Sequence, residues 1–79
     1  MNIQLVRDFV VREFLGGQGA DSLTLETPLI SSGVIDSVGT LKLVLFLEET
    51  FHVEIDAAEI AAGKLDTLGA IAALVDAKR

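Results

Sequence analysis

The chain has 79 residues, 51% of them apolar, with 12 acidic and 6 basic side chains and a formal charge of −6. That length bounds it to one small domain over residues 1–79. The apolar share excludes a disordered chain, and the acidity argues against nucleic acid, whose recognition needs clustered Lys and Arg.

An acidic chain suits basic partner surfaces instead. There is no Cys, so disulfides and thiolate metal sites are excluded, and any thioester chemistry needs a thiol from elsewhere. The only aromatics are four Phe, which predicts an aliphatic core of Leu, Ile, Val and Ala. The N-terminal segment lacks a basic stretch followed by an unbroken apolar one. The longest dense apolar run, Leu43 to Leu47, is far short of the ~20 residues of a membrane span. A cytoplasmic protein that does not enter the membrane is expected.

Asn2 to Leu15 has helical spacing: Ile3, Val6, Val10 and Phe14 recur at three and four residues. Asp8 precedes Arg12 by four, the order that favours an exposed ion pair. Gly16-Gly17 ends the helix, with Gly16 as C′. From Gly16 to Asp36 the chain is rich in Gly, Ser, Thr and Asp and holds the only Pro, at 28. A loop of roughly 20 residues is long for a compact domain and is often functional. Leu23, Leu25, Leu29, Ile30, Val34 and Ile35 are expected to pin it over a helical core, with a short helical turn near Ser22.

The second helix is predicted over about Ser37 to Phe51. Its apolar residues divide into two faces at 100° per residue. Leu43, Phe46, Leu47 and Phe51 point one way. Val38, Leu41 and Leu45 point the other, beside Lys42 and Glu49. Two readings of the second face stand side by side: an exposed docking strip rimmed by charge, or a buried face of a central helix. His52-Val53-Glu54-Ile55 is then a short extended link. Asp56-Ala57-Ala58-Glu59 forms a capping box for a short helix that Gly63 ends. Asp66 or Thr67 caps a last helix with Leu68, Ile71, Ala72 and Val75 at helical spacing. Lys78 and Arg79 complement its dipole. The expected fold is all-α: three main helices and a short one, with a long loop between the first two.

Catalytic machinery is not in evidence. His52 is the single His, about four helical turns from Ser37, and cannot be its base within one straight helix. Gly16-Gly17-Gln18-Gly19 has neither the Lys nor the preceding strand of a phosphate-binding loop. Glu48-Glu49 reads as a solvated helix end. No intrinsic enzyme activity is expected.

Ser37 is the most informative residue. It follows Gly33-Val34-Ile35-Asp36 and opens the second helix, where unpaired N–H groups and the positive end of the helix dipole favour an attached phosphate. Alone, Asp-Ser before a helix is common, and Ser37 would read as a cap. Taken with Thr27-Pro28-Leu29, Leu47-Glu48-Glu49-Thr50-Phe51, Val53-Glu54-Ile55 and Leu65-Asp66-Thr67-Leu68, in that order and spacing, the chain resembles the acyl and peptidyl carrier proteins over essentially its whole length.

The resemblance implies a four-helix carrier bundle with 4′-phosphopantetheine joined covalently to Ser37 by a phosphopantetheinyl transferase. It gives Asp36 one role, holding the Mg²⁺ that assists this transfer. An adenylating enzyme would load an acyl or aminoacyl group on the arm as a thioester. Downstream synthases, transferases or tailoring enzymes would dock on Val38, Leu41, Lys42 and Leu45.

The subtype follows from the same stretch. Fatty-acid carriers usually read Gly-x-Asp-Ser, whereas Gly33 stands three before Asp36. The longer form is similar to freestanding aminoacyl carriers of nonribosomal peptide and hybrid polyketide pathways, and to D-alanyl carriers. The Gly-Gly-His-Ser of carriers embedded in large synthetases is missing. Gly39 and Lys42 stand where the fatty-acid pattern has acids. Gly39 costs the helix up to ~1 kcal/mol relative to Ala and would leave room for the arm or a partner. The reading is thus a freestanding, monomeric carrier of antibiotic-type secondary metabolism. The alternatives are a fatty-acid or D-alanyl carrier or, in a different class, an unmodified helical adaptor.

Overall fold

Local capping rules account for most element boundaries. In the computed structural model, which describes residues 2–79 apart from the side chain of Ala20, helix α1 spans Ile3–Phe14. Asn2 caps it by accepting the Gln4 N–H at 3.1 Å. Its far end closes where Gly16 and Gly17 both take positive φ (64° and 81°), a conformation only glycine adopts without strain. The Gly17 N–H then returns to the Val11 carbonyl at 2.9 Å. The expected Asp8–Arg12 pair does not form. Asp8 accepts from the Gln4 side chain at 2.8 Å, and the Arg12 guanidinium lies 6.0 Å from the centre of the Phe9 ring.

Helix α2 spans Ser37–Phe51 and stops at His52, which takes the left-handed conformation at φ 56°; His52 is therefore the helix's cap, not the first residue of the extended link expected from the sequence. Helix α3, Ala57–Ala61, starts on the predicted capping box. The Asp56 carboxylate accepts the Glu59 N–H, and the Glu59 carboxylate accepts the Asp56 N–H. Helix α4, Leu68–Lys78, is capped by Thr67, whose Oγ1 accepts the Ala70 N–H at 3.0 Å. The second candidate cap, Asp66, is used elsewhere. No strand occurs among the described residues, and none of their helices is long and apolar enough to cross a membrane.

The core is aliphatic, as composition requires. Val6 and Val10 of α1, Leu43 and Leu47 of α2, and Leu68, Ile71 and Val75 of α4 lose all solvent contact. Each such side chain contributes about 1.5–3 kcal/mol against leaving it in water. Helix α1 packs on both α2 and α4. Three of the four Phe form its seam with α2. Phe9 stacks on Phe46 with ring centres 4.1 Å apart, and Phe14 meets the Phe9 ring edge-on at 5.9 Å.

The loop between α1 and α2 is held down by side chains, as expected, with one correction. Leu23, Leu29 and Ile35 are buried, and Ile30 and Val34 are half-buried against the core. Leu25 is exposed. Its backbone does the anchoring, because its carbonyl accepts the Gly69 N–H at 2.9 Å. A single 3₁₀ turn forms at Ala20–Ser22, and Arg7 staples the loop to α1 by donating to the Leu23 carbonyl at 2.8 Å. Glu48 also departs from expectation. It is half-buried, and its carboxylate accepts the Ile55 N–H at 3.0 Å, which folds the segment after α2 back onto the helix.

Candidate functional site

The start of α2 carries the candidate site. Asp36 is its cap: Oδ1 accepts the Gly39 N–H at 2.7 Å, and its carbonyl accepts both the Thr40 N–H and the Thr40 hydroxyl at 2.8 and 2.9 Å. Asp36 therefore has a structural role that needs no metal, where the sequence reading gave it one only with Mg²⁺. Oδ2 takes no part in the cap, and the residue is exposed. Among the described residues no group of three or more His, Asp or Glu side chains gathers to hold a metal ion.

Ser37 is then the first residue inside the helix rather than its cap, and it is exposed. The hydroxyls of the other three serines are all committed. Ser22 donates to the Gly19 carbonyl, Ser31 to the Asp66 carboxylate and Ser32 to the Pro28 carbonyl, at 2.7–2.9 Å. Among the described residues no acceptor or donor engages the Ser37 hydroxyl, and none accepts the N–H of Ser37 or Val38. Ser37 thus offers a free oxygen beside two unused donors at the positive end of a 15-residue helix.

Beside it lies an open groove of about 510 Å³. Ile30, Gly33 and Ile35 of the loop form one wall, Thr40 and Leu41 of α2 the other, and Ile60 of α3 the far edge. Of the groove's residues, the sequence reading placed Gly33, Ile35, Asp36 and Leu41 with Ser37 and missed Ile30, Thr40 and Ile60. A second groove of about 530 Å³, lined by Glu48, Val53, Glu54, Ile55, Asp56 and Lys78, shares no residue with the first.

The two readings of α2's second face are now separated. Val38, Leu41 and Leu45 are 63%, 63% and 57% exposed, and Lys42 is exposed between them. The face is a solvent-facing apolar strip that begins one residue after Ser37. His52 stands at the opposite end of α2, ~22 Å away by helical rise, as an exposed C-cap.

Gly39 has its explanation in packing. It is buried, and a Cβ placed there would stand 2.6 Å from Cε1 of Phe14 and 3.1 Å from both Asp36 Oδ1 and Ile35 Cγ2. The space that Gly39 leaves is filled by α1, not kept for an arm or a partner.

The residue that sequence reasoning missed is Asp66. Its Oδ1 accepts the N–H groups of Leu29, Ile30 and Ser31 at 3.2, 2.7 and 2.8 Å, and Oδ2 accepts the Ser31 hydroxyl at 2.8 Å. The Ser31 N–H and hydroxyl, followed by the other two N–H groups, hold its carboxyl below the ordinary value of 3.8 against the opposing effect of desolvation. The only sequence signal was an Asp next to a Thr, where one of the two had to be spare.

The profile of the phosphopantetheine attachment site family matches residues 9–75, most of the chain and all of the site described above. No curated protein and no solved structure matches the chain significantly. The chain belongs to the phosphopantetheine-attachment family, the acyl and peptidyl carrier proteins, whose members carry 4′-phosphopantetheine covalently on a serine.

Proposed function

We propose that Ser37 is the attachment serine and that the loaded arm carries an acyl or aminoacyl thioester to partner enzymes of nonribosomal peptide or polyketide type. The observation that carries the assignment is the state of the four serines: three hydroxyls are bonded within the chain, and that of Ser37 is free at a helix N-terminus.

The Ser37 oxygen attacks the phosphorus of coenzyme A that bears pantetheine, and the bond to 3′,5′-adenosine diphosphate breaks. The serine proton leaves to a base of the transferase, because no His, Asp or Glu of this chain bonds the hydroxyl. A phosphodiester on Ser37 would then sit beside the free N–H groups of Ser37 and Val38, which favour its negative charge. Asp36 fits a role in metal binding as well as in capping. Its Oδ2 is free to approach a Mg²⁺ whose remaining ligands come from the coenzyme's phosphates and the transferase. The metal would neutralise charge on the transferring group.

The arm's thiol supplies what a Cys-free chain lacks. Tethering then raises the cargo's concentration at each enzyme that docks. Docking is assigned to Val38, Leu41, Lys42 and Leu45, the exposed strip next to Ser37. Between Val38 and Leu45 the strip's one charge is positive, Lys42, and the acid on this face, Glu49, lies a turn farther from Ser37. A partner with an apolar patch and a carboxylate matches it, and the basic patch expected of fatty-acid enzymes does not. This supports an aminoacyl or natural-product carrier over a fatty-acid one.

The test is intact mass after incubation with coenzyme A, Mg²⁺ and a broad-specificity phosphopantetheinyl transferase. The wild-type chain should gain one arm, and Ser37→Ala, with unchanged helicity, none. An arm on Ser37→Ala would move the site to another serine. A wild-type chain that gains nothing would point to the unmodified adaptor.

A further inference from the structure

Asp66 and Ser37 stand 29 residues apart in the chain, yet hydrogen bonds tie Asp66 to Ile35, two residues before Ser37. Oδ1 of Asp66 gathers the N–H groups of Leu29, Ile30 and Ser31, and the Asp66 backbone carbonyl takes the Leu29 N–H again at 2.7 Å. The Leu29 carbonyl accepts the Ile35 N–H at 2.9 Å, and the Ile30 carbonyl accepts the Gly33 N–H at 3.1 Å. Ile35 leads directly into Asp36, the cap of α2. The segment from Pro28 to Ile35 is thus hung from a carboxylate at the start of α4, and three of its residues, Ile30, Gly33 and Ile35, wall the groove beside Ser37.

A transferase approaching Ser37 meets α2 on one side and this loop on the other. Helix α2 is held by its own cap and by core side chains. The loop has no helix or sheet ladder of its own. Three N–H groups on one carboxylate oxygen are a strong charge-assisted anchor, and they fix where the loop wall stands relative to the hydroxyl.

We propose that Asp66 is a positioning residue for arm transfer: its carboxylate, by gathering the Leu29–Ser31 backbone, holds the loop wall in the place a transferase recognises beside Ser37. The proposal rests on the assignment of Ser37 above. Asp66 does not touch the hydroxyl or the incoming group. Its effect is on recognition of the carrier, so its loss raises KM for the carrier more than it lowers kcat.

The experiment measures steady-state arm transfer from coenzyme A by a broad-specificity transferase, with melts on the same samples. The variants are Asp66→Ala, Asp66→Asn and, as a stability control, Thr67→Ala. Thr67→Ala removes the neighbouring cap of α4 without touching the loop. At a temperature where all variants keep wild-type helicity, Asp66→Ala should lower kcat/KM by about ten- to a hundredfold, mostly through KM. Asp66→Asn keeps a carbonyl oxygen for the three N–H groups and should recover most of the loss. Thr67→Ala should stay within about twofold, because its damage is confined to the helix end.

Wild-type kcat/KM in Asp66→Ala, or an equal loss in Thr67→Ala, overturns the proposal. Should Asp66→Ala lose helicity, Ser31→Ala carries the test, since it removes only the contact to Oδ2. A kcat/KM below that of Thr67→Ala is then expected, and equality overturns it. A wild-type chain that takes no arm removes the carrier assignment itself. A wild-type chain modified no faster than Asp66→Ala removes only the positioning role.

Discussion

Replacing Gly39 by Ala tests why a glycine stands two residues after Ser37. In an exposed helix the change would stabilise by about 1 kcal/mol through propensity and chain entropy. Here the new Cβ meets Cε1 of Phe14 at 2.6 Å, with Ile35 Cγ2 and Asp36 Oδ1 both at 3.1 Å. Ordinary contact begins near 3.4 Å, so the Phe14 ring must retreat by nearly an ångström and disturb its edge contact with Phe9. Overpacking of this kind costs about 1–3 kcal/mol. Against the propensity gain, Gly39→Ala should destabilise by about 0–2 kcal/mol, a fall of up to roughly 8–16 °C in Tm for a domain of this size. The decisive measurement is a double-mutant cycle with Phe14→Ala. That change alone should destabilise, but on its background Gly39→Ala should become stabilising by about 1 kcal/mol, because the clashing ring is gone. Thermal melts of the four proteins give the coupling. A Gly39→Ala protein that melts higher than wild type with Phe14 in place would refute the packing account.

The two roles of Asp36 separate by substitution. Asp36→Asn keeps an oxygen for the Gly39 N–H and should melt close to wild type yet accept the arm slowly. Asp36→Ala should lose about 1 kcal/mol as well, and an unimpaired transfer rate in Asp36→Asn would leave Asp36 as a cap alone. Leu41→Asp and Leu45→Asp should change stability by no more than about 0.5 kcal/mol at their exposed positions while slowing loading by the cognate enzyme; collapse of the melt in both would put this face in the core. Lys42→Glu restores an acid to α2 and should improve recognition by fatty-acid enzymes at the expense of the native partner, whereas no change in either would make Lys42 a solvated side chain only. Asp66 titrates below its ordinary 3.8 in the folded chain, so its contribution to stability is complete above that pH and is lost as pH falls through the lower folded value. Melts between about pH 5 and pH 3 should therefore show a steeper fall in wild type than in Asp66→Asn, and parallel curves would refute the clamp.

What could be read from the sequence was what is local. The period of α1 and α2, the Gly16-Gly17 stop and the capping box of Asp56 and Glu59 depend on residues at most a few positions apart, and all appear as expected. The offset between Asp36 and Ser37 was not resolved beforehand, because Asp and Ser are equally good caps; only the Gly39 N–H donated to Asp36 assigns them. The exposure of Val38, Leu41 and Leu45 depends on which helices cover α2, and periodicity does not say. The packing role of Gly39 was hidden for the same reason, since its neighbour Phe14 belongs to another helix, and room for an arm or a partner was the wrong expectation. Asp66 was out of reach altogether. Its partners lie 35–37 residues earlier, and nothing in the Leu65-Asp66-Thr67 stretch marks the spare carboxylate as a loop anchor.

The division of labour at the site follows from these contacts. A hydroxyl becomes a useful nucleophile when a base takes its proton, and a base within this chain would have to lie within hydrogen-bond reach. The nearest carboxylate, Asp36, spends one oxygen on the Gly39 N–H, and His52 is at the other end of α2. In the function proposed above, the chain brings to the reaction an exposed oxygen, two unused N–H donors and a surface of fixed shape, while base and metal would come with the enzyme that docks. Such a chain gains nothing from chemical reactivity of its own, which would expose a loaded thioester to hydrolysis. Its selectivity must lie in shape and in the charge of α2. That is why Lys42, Leu41 and the loop hung from Asp66 are the positions where a change should alter which enzymes use the carrier without altering what the carrier is.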